Sequence, residues 1–287
     1  MMSHRKKIWF GVLAALLAVL VAISAYVLAG PTDYTVDDLT ILDENANYVE
    51  IAYQGKTGKL YKHFAFNFDN PNLLEWFGDA SWSAMTLLSP ATKTVTEYIA
   101  LQKSIRKGEA DFIDNRIDAV DGMARFTSVA PAKRMVTAKA MLQNDQLWFV
   151  KGDDLWFRGR FFLQSGVPFT IVDFQERGRT HSPGPRITIW DGTHIGMELK
   201  YFGKPTMRQK VAKVPKGRWF ELKLHMMLDD KEGLIRVWQD GELIIDGSMQ
   251  TLPQANSLLN SLEVGITATD QAAVLLLDDI VISHQPL

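Results

Sequence analysis

A long central stretch of the chain alternates hydrophobic and polar residues with a period of two. Between Asp154 and Asp246, short segments rich in Val, Ile, Phe and Trp are separated by Ser-Gly, Pro-Gly, Asp-Gly and Lys-Gly turn signals. Successive side chains of a β-strand point to opposite faces of its sheet, so this pattern predicts strands with one buried face. No helix of ordinary length fits between the turn signals, which favours an all-β fold, an antiparallel β-sandwich.

The alternation divides the side chains of this stretch into two sets. The apolar set predicts a core face and consists of Phe157, Phe161, Leu163, Ile187, Ile189, Ile195, Met197, Leu199, Phe220, Leu222, Leu224, Met226 and Leu228. The other set mixes arginines, carboxylates and tryptophans and consists of Trp156, Arg158, Arg160, Arg186, Thr188, Trp190, His194, Glu198, Lys200, Trp219, Glu221, Lys223, His225, Arg236 and Trp238. An aromatic ring can stack on a sugar while an arginine pairs with a carboxylate or sulfate. The second set therefore indicates a sugar-binding sheet.

The flanking segments extend the same β-rich pattern. Residues 46–52 read as a strand that ends at a Gln-Gly turn, and residues 61–68 alternate phenylalanines with polar residues. Trp76 and Trp82 are expected in the core, because large aromatic side chains mostly bury apolar area. Residues 94–107 give the single helix expected after the N-terminal segment, and the chain closes with an apolar strand of the kind that is buried between sheets.

Length and composition are sufficient for one large domain. With 287 residues and 47% hydrophobic composition, the chain can bury a sizeable core, and we assign residues 46–287 to a single β-sandwich domain. Residues 31–45 are polar and acidic and predict a stalk or a first edge strand. There are no cysteines, which excludes disulfides, thiolate metal sites and a cysteine nucleophile.

The charge of the chain limits the choice of partners. A formal net charge of -2 and a pI near 6.3 give no electrostatic support for nucleic-acid binding. If the three basic residues near the N-terminus are set aside, 28 lysines and arginines remain against 33 aspartates and glutamates. An anionic ligand would therefore need a local basic cluster.

The N-terminus carries a membrane-targeting pattern. Basic residues at 5–7 precede an uncharged apolar run at 8–29, close to the ~20 residues that span a bilayer. This predicts a membrane anchor in residues 1–30, with the N-terminus cytoplasmic and the folded domain periplasmic or extracellular. The alternative is a signal peptide cleaved after Val27-Leu28-Ala29, where small residues precede Gly30.

The order of motifs in the second half of the chain resembles a known superfamily. These motifs are GRW from Gly217, IRVWQDGELIID, a Leu-Pro loop, LEVGI and a closing LDDIVIS. Together they are similar to the concanavalin A-like lectin/glucanase superfamily, which implies a jelly-roll β-sandwich. The upstream IVDFQ and PGPRITIWDG look like the heparin-lyase-I-like polysaccharide lyases, and the likeness runs from about Lys139 to the C-terminus. Laminin-G-type modules share the tryptophan strand and the Asp-Gly hairpin.

The lyase resemblance implies a set of chemical roles that this sequence fills only in part. Cleavage of a uronate polymer by β-elimination requires a group that neutralises the carboxylate, a base and an acid. Gln175 matches the family's glutamine, but Arg177 stands where a histidine is common and Thr267 stands where a tyrosine is common. His181 and Tyr201 are then the candidates for the remaining roles.

A binding site without catalysis uses an overlapping set of residues. The candidate ligand-binding residues are Trp156, Arg158, Arg160, Gln175, Arg186, Trp190 and His194. If their strands are neighbours, the arginines form one cationic patch with the tryptophans beside it. Alternatively, the arginines pair with Glu198, Glu221 and Asp173 on an exposed sheet.

Metal and cofactor chemistry has little support in the sequence. The histidines His181, His194 and His225 show no metal-ligand spacing, and we expect surface or hydrogen-bonded roles for them. Asp278-Asp279 predicts a hairpin or turn, with calcium as the alternative. The chain has no nucleophile elbow, phosphate-binding loop or dinucleotide fingerprint, so no cofactor is expected.

Three hypotheses for function follow from these patterns. The first is a membrane-anchored, extracytoplasmic module that binds an acidic polysaccharide or an envelope component without cleaving it. The second is a polysaccharide lyase that uses Gln175 with His181 or Tyr201. The third is an accessory subunit of a membrane complex, for which Gly11 and the alanines of the apolar run allow close helix packing.

Overall fold

Eighteen β-strands and two short 3₁₀ helices make up the part of the chain that the computed structural model describes. The described residues are 34–77, 81–88, 114–131, 137–176, 183–200 and 204–287, together with residues 100 and 104. Tyr34 to Leu287 form one compact unit. The 3₁₀ helices are Val36–Asp38 and Leu73–Phe77, and the strands are β1 (Thr40–Glu44), β2 (Tyr48–Tyr53), β3 (Lys56–Tyr61), β4 (His63–Phe66), β5 (Ala84–Leu88), β6 (Arg116–Val120), β7 (Met123–Ser128), β8 (Ala138–Asn144), β9 (Asp154–Ser165), β10 (Thr170–Glu176), β11 (Pro183–Ile189), β12 (His194–Leu199), β13 (Lys204–Lys213), β14 (Trp219–Met227), β15 (Gly233–Gln239), β16 (Glu242–Met249), β17 (Leu259–Thr269) and β18 (Ala273–Ser283).

The described strands form two large antiparallel sheets and one small sheet. The seven-stranded sheet has the order β13-β12-β11-β10-β17-β8-β5, and the eight-stranded sheet has the order β16-β15-β14-β9-β18-β7-β6 with β4 beside β18. Strands β1, β2 and β3 form the small sheet. The two large sheets enclose one hydrophobic core, so the predicted all-β sandwich is confirmed.

Strand β18 lies inside the eight-stranded sheet and has three partner strands. One side pairs with β9, while the other pairs with β7 over Ala273–Leu277 and with β4 over Ile280–Ser283. Between these halves Asp279 has a φ of +51°, and the pairing with β9 shifts register from Asp278 to Val281. The Asp278-Asp279 pair therefore forms a bulge within a strand, where the sequence predicted a hairpin or turn.

The predicted core face matches the observed burial. In β9 and β14 every second side chain is buried, and Phe157, Phe220 and Leu222 are at most 2% exposed. All thirteen residues that the alternation assigned to the core are buried. Burying such a side chain contributes roughly 1.5–3 kcal/mol relative to leaving it in water. The two outer faces of the sandwich consequently carry the polar set.

Aromatic side chains from the first half of the chain complete the core. Trp76 is 1% and Trp82 is 3% exposed, which confirms their predicted role. Their rings pack with those of Phe64, Phe66 and Phe68; the Phe64 and Trp82 ring centroids, for example, lie 5.3 Å apart in an edge-to-face arrangement. Edge-to-face pairs of this kind add to the stabilisation from burial.

The strand predicted at residues 61–68 is divided at Lys62. Tyr61 pairs with Tyr48 in the small sheet, whereas His63 pairs with Ser283 in the eight-stranded sheet. The chain thus passes from one sheet to the other at this residue. The strand predicted at 46–52 is confirmed as β2, and within the segment 31–45 residues Thr40–Glu44 form the edge strand β1.

Several sequence-based predictions lie outside the described residues. These are the anchor or signal peptide at residues 1–30, most of the helix predicted at 94–107, and the side chains of His181 and Tyr201. Over the described part of the chain, the structure contains no helix that is long and apolar enough to cross a membrane.

Candidate functional site

The candidate ligand-binding residues divide between the two large sheets. Trp156, Arg158 and Arg160 lie on β9 in the eight-stranded sheet. The others lie on or beside the seven-stranded sheet and are Gln175, Arg186, Trp190 and His194. Because β9 and β11 belong to different sheets, the three arginines do not form the single patch that neighbouring strands would have given.

On the eight-stranded sheet the arginines are engaged in ion pairs. Arg158 lies 4.0 Å from Glu221, and Arg160 lies 3.5 Å from Asp278 and 3.1 Å from Asp279. The ion pair with Glu221 is the structural alternative that the sequence allowed. Such half-exposed pairs contribute little to stability, but they compensate much of the positive charge of this face.

The tryptophans of the same face stack against neighbouring side chains. Trp156 lies parallel to His225 with 4.0 Å between ring centroids, and Trp238 lies 6.1 Å from Trp156. The Nζ atom of Lys223 is 4.7 Å from the Trp238 ring, and Nε2 of His225 is 2.6 Å from Asp154. The ring faces are therefore largely covered by protein, and little aromatic surface remains for a sugar.

The outer face of the seven-stranded sheet carries a continuous row of polar residues. Cross-strand pairing places Glu198 opposite Arg186, Arg186 opposite Asp173, Asp173 opposite Glu263, and Glu263 opposite Gln143. Directly paired residues direct their side chains to the same face. Five adjacent strands thus contribute one side chain each to a single line across the sheet.

Buried ion pairs hold this row in place. The guanidinium of Arg186 bonds to Glu198 and lies 3.9 Å from Asp173. On the other side of the row, Nζ of Lys139 lies 3.3 Å from Glu263. Glu263 is 5% exposed, so its pairing with a lysine offsets the cost of burying the charge.

A groove of about 380 Å³ lies over the part of this row that Asp173 and Arg186 form. Phe169 stands at its side with 40% of its surface exposed, and the Arg186 guanidinium is 5.8 Å from the Phe169 ring. The groove combines one open aromatic ring with cationic and polar groups, as sugar-binding sites do. It is lined by Thr137, Lys139, Phe169, Asp173, Gln175, Arg186, Lys200, Thr267 and Ala268.

The carboxyl group of Asp173 favours its protonated form. Burial, and next the negative charge of Glu263, raise the pKa of Asp173 well above its ordinary value, although Arg186, Lys139 and Lys200 act in the opposite direction. A carboxyl group with a raised pKa retains its proton at higher pH, where it acts as a hydrogen-bond donor.

Four buried polar atoms on this face lack a hydrogen-bond partner among the described residues. They are Oγ1 of Thr170, Oδ1 of Asp173, Nε1 of Trp190 and Oγ1 of Thr267. Asp173 and Thr267 line the groove, and Thr170 pairs with Thr188 on the outer face. An unsatisfied buried polar group costs about 1–3 kcal/mol, so a polar ligand that bonds to these atoms would recover part of that cost.

Trp190 extends the polar face toward the edge of the sheet. If residue 196 carried a side chain, its Cβ atom would lie 2.9 Å from Cδ1 of Trp190, which is closer than such atoms normally approach. The position of the indole therefore requires a glycine at 196. The Arg208 guanidinium is 4.9 Å from the centre of the indole, and the ring of His194 is 6.0 Å away. His194 itself bonds to Asp191 through Nδ1 at 2.6 Å.

No group of three or more His, Cys, Asp or Glu side chains with metal-binding geometry occurs in the described part of the chain. His194 and His225 are each paired with one aspartate, in agreement with the hydrogen-bonded role expected from the sequence. Asp278 and Asp279 contact Arg160, and their bulge gives them a structural role.

The positions implied by the lyase resemblance lie partly in the groove. Gln175 and Thr267 both line it, while His181 and Tyr201 are outside the described residues. The sequence did not single out Lys139 and Glu263 as site residues, because they are separated from the central stretch along the chain. The sequence feature that could have identified them is their outward-facing position in β8 and β17, whose alternate residues face the core.

Comparisons with known proteins relate the chain to others by structure alone. No protein-family model and no curated protein matches the sequence. Among solved structures, the chain is similar to the cellulose induced protein Cip1, with a TM-score of 0.50 and 11% identity over 78% of this chain and 98% of that one. It also matches an endo-β-1,4-glucuronan lyase from the fungus Trichoderma reesei, with a TM-score of 0.48 and 12% identity over 61% of this chain and 89% of that one.

A third match is alginate lyase A1-II′, a member of polysaccharide lyase family 7, with a TM-score of 0.47 and 11% identity over 71% of this chain and 94% of that one. The structural neighbours thus include polysaccharide lyases, as the sequence resemblance implied. At these identities the likeness concerns the fold alone.

Proposed function

We propose that this protein binds an acidic glycan in the groove on the outer face of the seven-stranded sheet. The observation that carries the proposal is the set of buried polar atoms that lack a hydrogen-bond partner within the described part of the chain, two of which belong to Asp173 and Thr267 in the groove lining. A sugar presents hydroxyl groups that both donate and accept hydrogen bonds, so it can satisfy both atoms. The open ring of Phe169 provides a surface for stacking.

The charges around the groove favour an acidic sugar over a neutral one. Lys139, Lys200 and Arg186 line the groove, and the raised pKa of Asp173 reduces its repulsion of an incoming carboxylate. A uronate fits this environment because its carboxylate can pair with a lysine. Polysaccharides built from uronates are therefore the proposed class of ligand.

The direct test is a binding measurement on the full-length chain in mild detergent. Titration calorimetry with a polyglucuronate, a polymannuronate and a neutral glucan should show saturable binding to at least one uronate polymer and none to the glucan. Lys200→Gln should weaken that binding about twofold to fivefold, since it removes one exposed ion pair of up to about 1 kcal/mol. Lys56→Gln, an exposed lysine on β3, is the matched control and should bind as the wild type does. Absence of binding to every uronate polymer would refute the proposal.

A polysaccharide lyase is the second candidate function, because Gln175 lies in the groove beside Asp173. An amide at this place can stabilise the charge that builds on a uronate carboxylate during proton abstraction. If the protein is a lyase, incubation with the bound polymer yields an unsaturated uronate that absorbs in the ultraviolet, and Gln175→Ala lowers the rate of its formation by at least tenfold. A polymer that binds and stays uncut assigns the groove to binding alone.

The proposal also places the domain outside the cytoplasm, because residues 8–29 have the length and composition of a membrane anchor. Fractionation of cells that produce the full chain, followed by extraction at alkaline pH, tests this placement. An anchored protein stays in the membrane pellet, and added protease digests its domain only where the extracytoplasmic side is accessible. Release of a shortened chain into the soluble fraction would indicate cleavage near Ala29.

A further inference from the structure

The basic residues of this chain are concentrated in one segment. Residues 200–218 contain seven lysines and arginines and no aspartate or glutamate, although the whole chain has a net charge of -2. Strand β13 occupies most of this segment and forms one edge of the seven-stranded sheet. Arg208 and Lys213 are paired with Gly196 and His194 of β12, which places both on the outer face. The local basic cluster that an anionic ligand needs is therefore present beside the groove.

A bulge in β13 keeps part of this cluster exposed. Gly196 and His194 are two positions apart, whereas their partners Arg208 and Lys213 are five positions apart, so three additional residues of β13 fall within the bulge. Gln209, which is 6% exposed, holds this projection from within. Its Nε2 donates to the Ala212 carbonyl at 2.8 Å, and its Oε1 accepts from the backbone N–H groups of residues 211 and 212 at 2.6 and 3.0 Å. Lys210 is exposed and lies in a segment that the hydrogen bonds of Gln209 hold in place.

Arg208 connects this edge to the polar face of the sheet. Its guanidinium lies over the Trp190 ring, and that ring is seated where Gly196 leaves room. Nε1 of Trp190 is buried and has no partner among the described residues. Stacking on an indole restricts a guanidinium to one region while its N–H groups remain available to an anion. Arg208 thus offers donors between the groove and the edge.

We propose that Arg208, Lys210 and Lys213, named here the basic edge, bind the acidic groups of a glycan chain that extends beyond the groove. This inference rests on the proposed function, because the same polymer occupies the groove. Five strand spacings separate β8, which carries Lys139, from β13, and these correspond to roughly 24 Å across the sheet. A disaccharide in the groove is too short to cover this distance, whereas an octasaccharide is long enough.

Lysines on an edge strand can also prevent it from pairing with other sheets, but this role does not account for all of these features. Lysines and bulges on an edge strand prevent its pairing with other sheets, and β13 has both. Protection requires neither an arginine stacked on a tryptophan nor a glycine that seats the indole. Charge complementarity with an acidic polymer accounts for the cluster and for its continuity with the groove.

The test compares short and long ligands on a variant of the basic edge. The full-length chain and Arg208→Gln/Lys210→Gln are titrated with a glucuronate disaccharide and a glucuronate octasaccharide at low and physiological salt. The matched control is Lys56→Gln/Lys231→Gln. It removes the same charge from two exposed positions, one on β3 of the small sheet and one between β14 and β15. Circular dichroism confirms that each protein is folded.

We expect the edge variant to bind the disaccharide as the wild type does and the octasaccharide about threefold to tenfold more weakly, with a smaller dependence on salt. Equal affinities of the wild type and the edge variant for the octasaccharide would overturn the inference and leave binding in the groove intact. If the wild type binds neither oligosaccharide, the proposed function fails and the inference fails with it. Binding of the wild type, but not the edge variant, to phosphatidylglycerol vesicles, with octasaccharide affinity unchanged, would assign the basic edge to lipid and also overturn it.

Discussion

Asp173 of β10 and Glu263 of β17 are direct cross-strand partners, and their two carboxyl groups lie buried side by side beneath the groove. Arg186 flanks the first carboxyl and Lys139 the second. Two adjacent buried carboxylates repel each other, and a proton retained by one of them removes that repulsion. The raised pKa of Asp173 is consistent with this arrangement.

The pH dependence of the free energy of unfolding should show whether the pKa of Asp173 is raised in the folded protein. Because the pKa of Asp173 is raised in the folded state, folding is favoured while the group is protonated, and stability is lost as pH rises from about 4 through the raised pKa. Asp173→Asn retains a donor and cannot ionise. Its free energy of unfolding, measured by urea denaturation, should exceed that of the wild type by a margin that grows over this pH range.

The control for this experiment is Glu242→Gln, an exposed residue on β16, which should change the unfolding free energy by less than about 0.5 kcal/mol. A constant difference between Asp173→Asn and the wild type across the pH range would show that the pKa of Asp173 is not raised in the folded protein.

Thr267→Val should stabilise the protein and weaken its binding of glycan. The hydroxyl of Thr267 is buried and has no hydrogen-bond partner among the residues that the structure describes. A methyl group of similar size removes the cost of burying it, which raises the unfolding free energy by about 1 kcal/mol. The ligand loses one hydrogen-bonding group, so its affinity should fall about threefold to tenfold. Urea denaturation and calorimetric titration measure the two effects.

Thr188→Val serves as the counterpart on the same face. The Thr188 hydroxyl donates to the Gly196 carbonyl at 3.3 Å, so its removal should lower the unfolding free energy by about 0.5–1.5 kcal/mol. If Thr267→Val were destabilising to a similar degree, its hydroxyl would have a partner within the protein and would not be available to a ligand.

Gly196→Ala should displace Trp190. The new Cβ atom would lie 2.9 Å from Cδ1 of Trp190 and 3.1 Å from the Met207 carbonyl oxygen, and overpacking of this kind costs about 1–3 kcal/mol. We expect lower stability and altered Trp fluorescence, together with weaker binding of long oligosaccharides. At Gly58 on β3, where an added Cβ meets no atom within 4 Å, the same substitution should leave the fluorescence unchanged.

Phe169→Ala should reduce affinity with little effect on stability. The ring is 40% exposed at the side of the groove, so its loss removes a stacking surface worth about 0.5–1.5 kcal/mol while little core area is lost. Calorimetric titration with the uronate polymer measures the change. Met227→Ala, a residue 39% exposed on the other large sheet, should leave the affinity unaltered, and equal losses for both variants would argue against stacking in the groove.

The alternation of the central strands was enough to predict the sandwich and its core, because burial on one side of a sheet imposes a period of two. It did not reveal which strands are neighbours. Arg158 and Arg186 both stand on outward faces, yet they belong to opposite sheets, since pairing depends on contacts between segments far apart in sequence. For the same reason the proximity of Lys139 to Glu263 could not be inferred. The basic segment at 200–218 is visible in the sequence as a charge pattern, but its place at a sheet edge depends on the pairing of β13 with β12.

The position of β18 has a consequence for how the chain folds. This strand lies between β9 on one side and β7 and β4 on the other. The eight-stranded sheet therefore cannot form completely before β18 is available, and the pairing of β18 with β9 joins segments more than a hundred residues apart. Contacts of such high sequence separation slow folding and leave strand edges open in the interval. Until β18 pairs, the edges of β9 and β7 are open to pairing with other chains.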